Sequence, residues 1–389
     1  MRFRRALPAL LAPAWLLLAA PGAGARPSDI LVGLDEKASF TAEGQQNGPG
    51  GSDAVLVLDA SDPAQPKIRA SLPLSNSIIG PPTNLAITPD GRLGLVASSV
   101  VPRQDGANWA TAPDNELYVI DLMADPPTLL DTVTVGSQPS GLAISRKGDL
   151  ALVANRAGKS VSVLSIQGNA VKLVGEVPVE DAAACVAISP DGRRAFVCKN
   201  VANRIGVLEI DGQKVTYDKG MDIPSAFNPY NLAFTPDGKH VIAVNNGSNN
   251  GGVDTLAAIV ATGSHPYVVD ILAVGVGPEG FAIAPDGKWA VVPLLLGSTA
   301  KRSAWNYTQK GIVALVAIGE DGQLRKAGTM PAGAVPEGVA FAPDGSHVYV
   351  GNFSDKLLQV FRLADGKLND TGVRLTLPGQ PASLGGPAR

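Results

Sequence analysis

The sequence predicts an all-β fold: a seven-bladed β-propeller of four-stranded antiparallel blades, with the last blade closed by N- and C-terminal strands. Three observations predict it. One phrase, an apolar-Ala-apolar strand, a Pro-Asp-Gly turn and a second apolar strand, occurs six times along the 389 residues. Its turns begin at Pro89, Arg146, Pro190, Pro236, Pro285 and Pro343, so the copies lie 44 to 58 residues apart, the length of a blade made of hairpins. Finally, 44 Gly, 31 Pro and only 17% charged residues suit many short buried strands joined by tight turns.

The first strand of each phrase alternates strictly. Leu85 and Ile87, Leu142 and Ile144, Val186 and Ile188, Leu232 and Phe234, Phe281 and Ile283, and Val339 and Phe341 point one way. Between them always stands alanine: Ala86, Ala143, Ala187, Ala233, Ala282 and Ala340. Strands apolar on both faces pack between two sheets. A small residue in that place fits the crowded innermost strand, with the alanines toward the axis. In the turn, Pro presets φ, Asp bonds its own backbone and Gly accepts the left-handed conformation. Two looser strands follow each hairpin, as in SVSVLSI (160–166) with VKLVGEV (171–177).

The two ends complete the ring. DILVGLD (29–35), DAVLVLD (53–59) and KIRASLP (67–73) are three strands with no inner partner before them. Gln380-Pro381-Ala382-Ser383-Leu384 repeats the opening Gln138-Pro139-Ser140-Gly141-Leu142 of an inner strand. A seventh blade sharing both ends removes exposed sheet edges. Residues 1–25 are expected to be a signal peptide, with Arg2, Arg4 and Arg5, an apolar Ala6–Ala20 stretch and an Ala23-Gly24-Ala25 cleavage site, leaving 26–389 as one domain. The expected location is the periplasm or the medium. No later segment has the roughly 18 apolar residues of a membrane helix. Without the leader's three arginines the balance is 29 Lys+Arg against 35 Asp+Glu, which argues against a nucleic acid or anionic membrane partner.

The segments LALVAN (150–155) and HVYVGN (347–352) after Pro-Asp-Gly-type turns resemble the YVTN-repeat propellers of the lactonase-like seven-bladed group. The resemblance covers nearly all of 26–389 and implies the fold. It implies no single activity, because the scaffold carries lactonases, cycloisomerases, dehydrogenase subunits and pure binding or surface proteins. WD40 and kelch propellers fit worse, with no Trp-Asp ending and no paired-glycine motif.

The repeat also locates a site. If the turns mark one face, the segments entering the inner strand lie on the other. Their Pro-x-Gly/Asn motif puts Thr83, Ser140, Ala184, Tyr230, Glu279 and Glu337 around the channel mouth. Glu279 and Glu337, the charges of this ring, are the candidate acid–base pair, since neighbouring carboxylates raise one another's pKa; the plain alternative is a pair of solvated loop carboxylates. Arg156 and Lys199 could hold a carboxylate or phosphate. Asn155, Asn200, Asn245, Asn246 and Asn352 end second strands on this face, where asparagine also serves simply as a turn cap. Long connections at 36–52, 99–115, 246–253 and 297–310 share that face. Trp109, Trp305 and Tyr307 on two of them suit stacking on a ligand or partner, or stapling of the loops to the propeller. The connections 36–52 and 246–253, rich in Gly, Asn and Gln, read as floppy.

His240, His265 and His347 map away from the mouth, against a His general base or metal site there. No CxxCH, Gly-x-Ser-x-Gly or phosphate loop occurs, and no cofactor or metal is predicted. Cys185 and Cys198 face each other if Ser189 pairs with Arg194, and an exported chain favours a disulfide between them. The leading functional expectation is an exported binding protein using its mouth-face loops, with a small-molecule or protein partner. A lactonase-like hydrolase of a small lactone or sugar acid is the second, and an accessory subunit of a periplasmic redox complex the third.

Overall fold

The structure, a computed structural model, describes residues 28–247 and 251–389; the expected signal peptide lies outside the described residues. Seven sheets form the ring. Blade 1 runs, from the axis outward, Pro381–Gly385, Asp29–Leu34, Ala54–Asp59, Lys67–Leu72. The C-terminal strand pairs antiparallel with the first N-terminal one, Val32 opposite Leu384, which is the closure expected from the sequence. Blades 2 to 7 follow in chain order, with innermost strands Leu85–Ile87, Pro139–Ile144, Ala183–Ile188, Pro229–Phe234, Ala282–Ile283 and Pro336–Phe341. Blade 4 is irregular outside: Lys214–Tyr217 stops early, and Ile223–Pro224 resumes pairing on the same neighbour.

The alanine column borders the channel on the axis, where Ala86, Ala143, Ala187 and Ala233 line its wall, and it also packs against a neighbouring blade. Ala143 packs in the cluster that holds Val186 and Ile188 of the next blade. Ala187 likewise meets Leu232 and Phe234, Ala233 meets Phe281 and Ile283, and Ala282 meets Val339 and Phe341. Each inner strand therefore turns its two large side chains back and its small one forward. Wedge-shaped blades can then approach closely at the axis, because large meets small at these boundaries. The Pro-Asp-Gly glycines take the left-handed conformation, as at Gly91 (φ 73°) and Gly238 (φ 71°).

Two of the long connections carry regular structure. Residues 99–115 extend the middle strands of blade 2 to Leu93–Asp105 and Asn108–Asp121, a hairpin that projects from the ring. Residues 38–47 form a separate hairpin, Ala38–Thr41 with Gly44–Asn47, where floppy chain was expected. Its base is fixed by Lys37, only 3% exposed, whose ammonium sits between Asp35 and Asp53 and donates to Asn76 O. Its flank carries Phe40 edge-on to Phe353 at 5.8 Å.

Candidate active site

The entries of four inner strands depart from regular pairing in the same way. Register slips by one residue between Pro139 and Leu142, Ala183 and Val186, Pro229 and Asn231, and Pro336 and Val339. Such a bulge re-aims the extra side chain, here the middle residue of Pro-x-Gly/Asn. The glycine that follows has its own cause. The inner strands converge so closely that a Cβ on Gly280 would lie 2.1 Å from the Glu337 carbonyl oxygen, and one on Gly141 2.7 Å from Cys185 Cα.

This geometry gathers four of the expected residues around one cavity of ≈ 320 Å³: Arg156, Tyr230, Glu279 and Glu337. The two carboxyl side chains are buried, Glu337 at 2% and Glu279 at 8% exposure. Burial above all, and then the charge of Glu279, pushes the Glu337 carboxyl well above the usual range, as expected for two acids sharing a dry site. Glu279 accepts the side-chain amide of Asn246 at 3.1 Å. The Arg156 guanidinium lies over the Tyr230 ring, 5.5 Å from its centroid, and donates to Asn200 Oδ1 at 3.1 Å. Burial and the nearby Glu279 raise the Tyr230 phenol, so it stays protonated.

Sequence reasoning missed the roof. Phe40 and Gln45 of the separate hairpin, Ile78 and Ile79, and Leu295 and Thr299 complete the cavity. The hairpin is tied to the 297–310 connection, where Arg302 N donates to Ala42 O at 2.8 Å. An apolar plug of Ala38, Ile78, Leu295, Val335, Phe353 and Ala382 lies beside it. The signal was the alternation Ala38-x-Phe40 ahead of Gly44, a short hairpin pattern.

The remaining candidates lie elsewhere. Lys199 is buried in blade 4, with its ammonium 2.6 Å from both Asp222 Oδ2 and Tyr217 OH. Asn352 accepts from Gly333 N and donates to Gln359, inside its own blade. Trp109 pairs with Gln104 near the tip of the projecting hairpin. Trp305 is 86% exposed and Tyr307 half-buried on the same connection; neither lines the cavity. A larger cavity, ≈ 680 Å³, opens on the turn face, but Arg194 there is engaged by Glu209 and Gly263 O, and Arg146 by Pro236 O.

The expected Cys185–Cys198 disulfide is not formed: both are free, buried thiols. The turn register is as expected, with Ser189 N bonded to Arg194 O and Val186 opposite Val197. The bulge begins one residue earlier, however, and takes Cys185 out of the pairing. Its sulfur instead meets Thr83 Oγ1 and Asn231 Oδ1, each at 3.4 Å.

A family profile described as "Lactonase, 7-bladed beta-propeller" matches residues 178–264. No curated protein sequence matches the chain. Among solved structures, a candidate 6-phosphogluconolactonase from Bacteroides uniformis is 19% identical, with a TM-score of 0.69 over 92% of this chain and 98% of that one. The periplasmic gluconolactonase of Pseudomonas aeruginosa is 21% identical, with a TM-score of 0.67 over 92% and 98%. A functionally unknown protein from Desulfotomaculum acetoxidans is 15% identical, with a TM-score of 0.66 over 93% and 99%. At these identities the likeness is one of fold.

Proposed function

We propose that this chain, a lactonase-like seven-bladed β-propeller, hydrolyses a small, unphosphorylated sugar lactone in the mouth cavity. The observation that carries the reading is the burial of Glu279 and Glu337 in one cavity with Arg156 and Tyr230. A volume of ≈ 320 Å³ lies in the range of small-molecule sites. Ring opening needs a base for the attacking water and an acid for the departing ring oxygen. Glu279, held by an amide donor, takes the proton from water as its oxygen bonds to the acyl carbon. Glu337, protonated by burial, gives its proton to the ring oxygen as the acyl C–O bond breaks. Arg156 faces the oxyanion that develops between the two steps. Proton return from Glu279 to Glu337 resets the pair. The lining holds one guanidinium against two carboxyls, so no spare positive charge greets a phosphate.

The test is turnover of a lactone panel, with sugar lactones and their phosphorylated counterparts, by wild type, Glu279→Gln and Glu337→Gln. Each substitution should lower kcat/KM by at least about 100-fold, the scale of a lost general acid or base. Absence of turnover on every lactone, or undiminished turnover in either variant, sinks the reading. The leader-like residues 1–25 support a periplasmic or secreted location for this activity.

One observation favours a binding role as second reading. Trp305 stands 86% exposed on a connection at the mouth face, as a docking anchor does. Copurification of a partner that Trp305→Ala releases would support it.

A further inference from the structure

A continuous line of side-chain hydrogen bonds runs from Arg156 to Glu279 across blades 3 to 6. Arg156 Nη2 donates to Asn200 Oδ1 at 3.1 Å, and Asn200 Nδ2 donates to Asn228 Oδ1. Asn228 Nδ2 then donates to Asn246 Oδ1 at 2.9 Å, and Asn246 Nδ2 to Glu279 Oε1 at 3.1 Å. Asn200 and Asn246 are buried and Asn228 half-buried. None of the three lines the cavity.

The direction of the line follows from its start. A guanidinium only donates, so the first amide must present its oxygen to Arg156. Asn200 is pinned a second time, because its Nδ2 also reaches the Pro229 carbonyl at 3.2 Å. Each amide then passes a donor to the next, and the line ends with a donor against Glu279. Run in reverse, it would set an amide oxygen against Glu279, and only a protonated acid could answer. Chains of this kind polarise along their length, and a donor on a carboxylate favours its charged form.

We propose that Asn200, Asn228 and Asn246 are positioning residues, a one-way relay that keeps Glu279 the carboxylate of the pair and leaves Glu337 the protonated partner. This deepens the lactonase reading by dividing the roles of base and acid. The charged and titratable groups that share the cavity with Glu279 include Glu337 from blade 7, Tyr230 from blade 5 and Arg156 from blade 3. Asp254 of blade 5 is engaged just ahead of Glu279, accepting from Gly277 N at 2.8 Å. The hairpin roof adds Phe40 and Gln45, which carry no charge.

The test is a carbon NMR titration of the full mature protein labelled at Glu side-chain carboxyls, with resonances assigned by Glu279→Gln and Glu337→Gln. No lactone is needed, so the relay and the proposed activity fail separately. In wild type, Glu279 should ionise below Glu337. Asn228→Asp keeps the bond from Asn200 but can donate nothing onward. Asn246 must then turn its donor to the new carboxylate and its oxygen to Glu279. The Glu279 midpoint should rise by about one pH unit or more, the size of a lost donor compounded by a misplaced acceptor. Asn246→Leu, which adds no charge, should move it in the same direction, and it decides the matter if Asn228→Asp does not fold. A Glu279 midpoint above that of Glu337 in wild type overturns the relay. So does a midpoint in folded Asn246→Leu within about 0.3 unit of wild type, well inside the ordinary scatter of carboxyl values.

Discussion

The carbonyl oxygen of Glu337 occupies the place that a side chain on Gly280 would need, 2.1 Å from the position of a Cβ. The contact joins the inner strands of blades 6 and 7 where both candidate catalytic carboxyls originate. Gly280→Ala must push the two strands apart. We expect a loss of about 1–3 kcal/mol in stability, the usual cost of overpacking, with a fall in lactone turnover larger than the loss of folded protein. Urea melts and initial rates on the same preparation check it.

Burial leaves a signature in the pH dependence of stability. The Glu337 carboxyl is raised above the ordinary 4.5, so folding favours its protonated form. The stability from this group is complete below about 4.5 and is lost as pH rises through the folded-state value. Glu337→Gln, which never ionises, should therefore melt higher than wild type near pH 8. The gap should close toward pH 4. Parallel thermal scans across that range measure it, and a gap that widens at low pH contradicts it.

Arg156 over Tyr230 is a cation–π pair at the cavity wall. Tyr230→Leu keeps the bulk of an apolar side chain and removes the ring face. The orientation of Arg156 should suffer, weakening productive lactone binding by about 2- to 30-fold, as a contact of ~0.5–2 kcal/mol allows. Steady-state kinetics on wild type and variant decide this, and Tyr230→Phe, which keeps the ring, should stay close to wild type.

Both cysteines are free and buried, and burial raises each thiol above its ordinary value. The native protein should resist a thiol reagent at neutral pH, since the thiolate is the reactive form. Denatured without reductant, it should release two equivalents. A count near zero would mean that the disulfide forms after all.

How far the sequence discloses this molecule depends on the range of the cause. The six turns and the shared first blade were legible because local chemistry decides them: Pro-Asp-Gly at Pro190 makes the same turn wherever it stands. Glu279 and Glu337 could be assigned to one mouth because the repeat puts equivalent residues in equivalent positions. The alanine column was legible as an inner-strand marker bordering the axis, yet its packing partner depends on the next blade, as Ala143 against Val186 shows. Cys185 was misplaced because a one-residue bulge leaves no local mark in the sequence. The asparagine line was invisible for a related reason: Asn200 and Asn246 read only as strand-ending asparagines on the mouth face, Asn228 stood out in no way, and only blades set side by side make the three consecutive.

Sharing one sheet between the two ends also sets a clock. From Leu34 to its partner Pro381 the ribosome must travel nearly the whole chain, which at usual rates of synthesis takes on the order of 20–70 s. For that time Asp29–Leu34 lacks its inner neighbour, and six assembled blades would still form an open arc. A chain that cannot close its ring before Pro381–Gly385 appear stays threadable until then, and it becomes hard to unravel once that strand has docked.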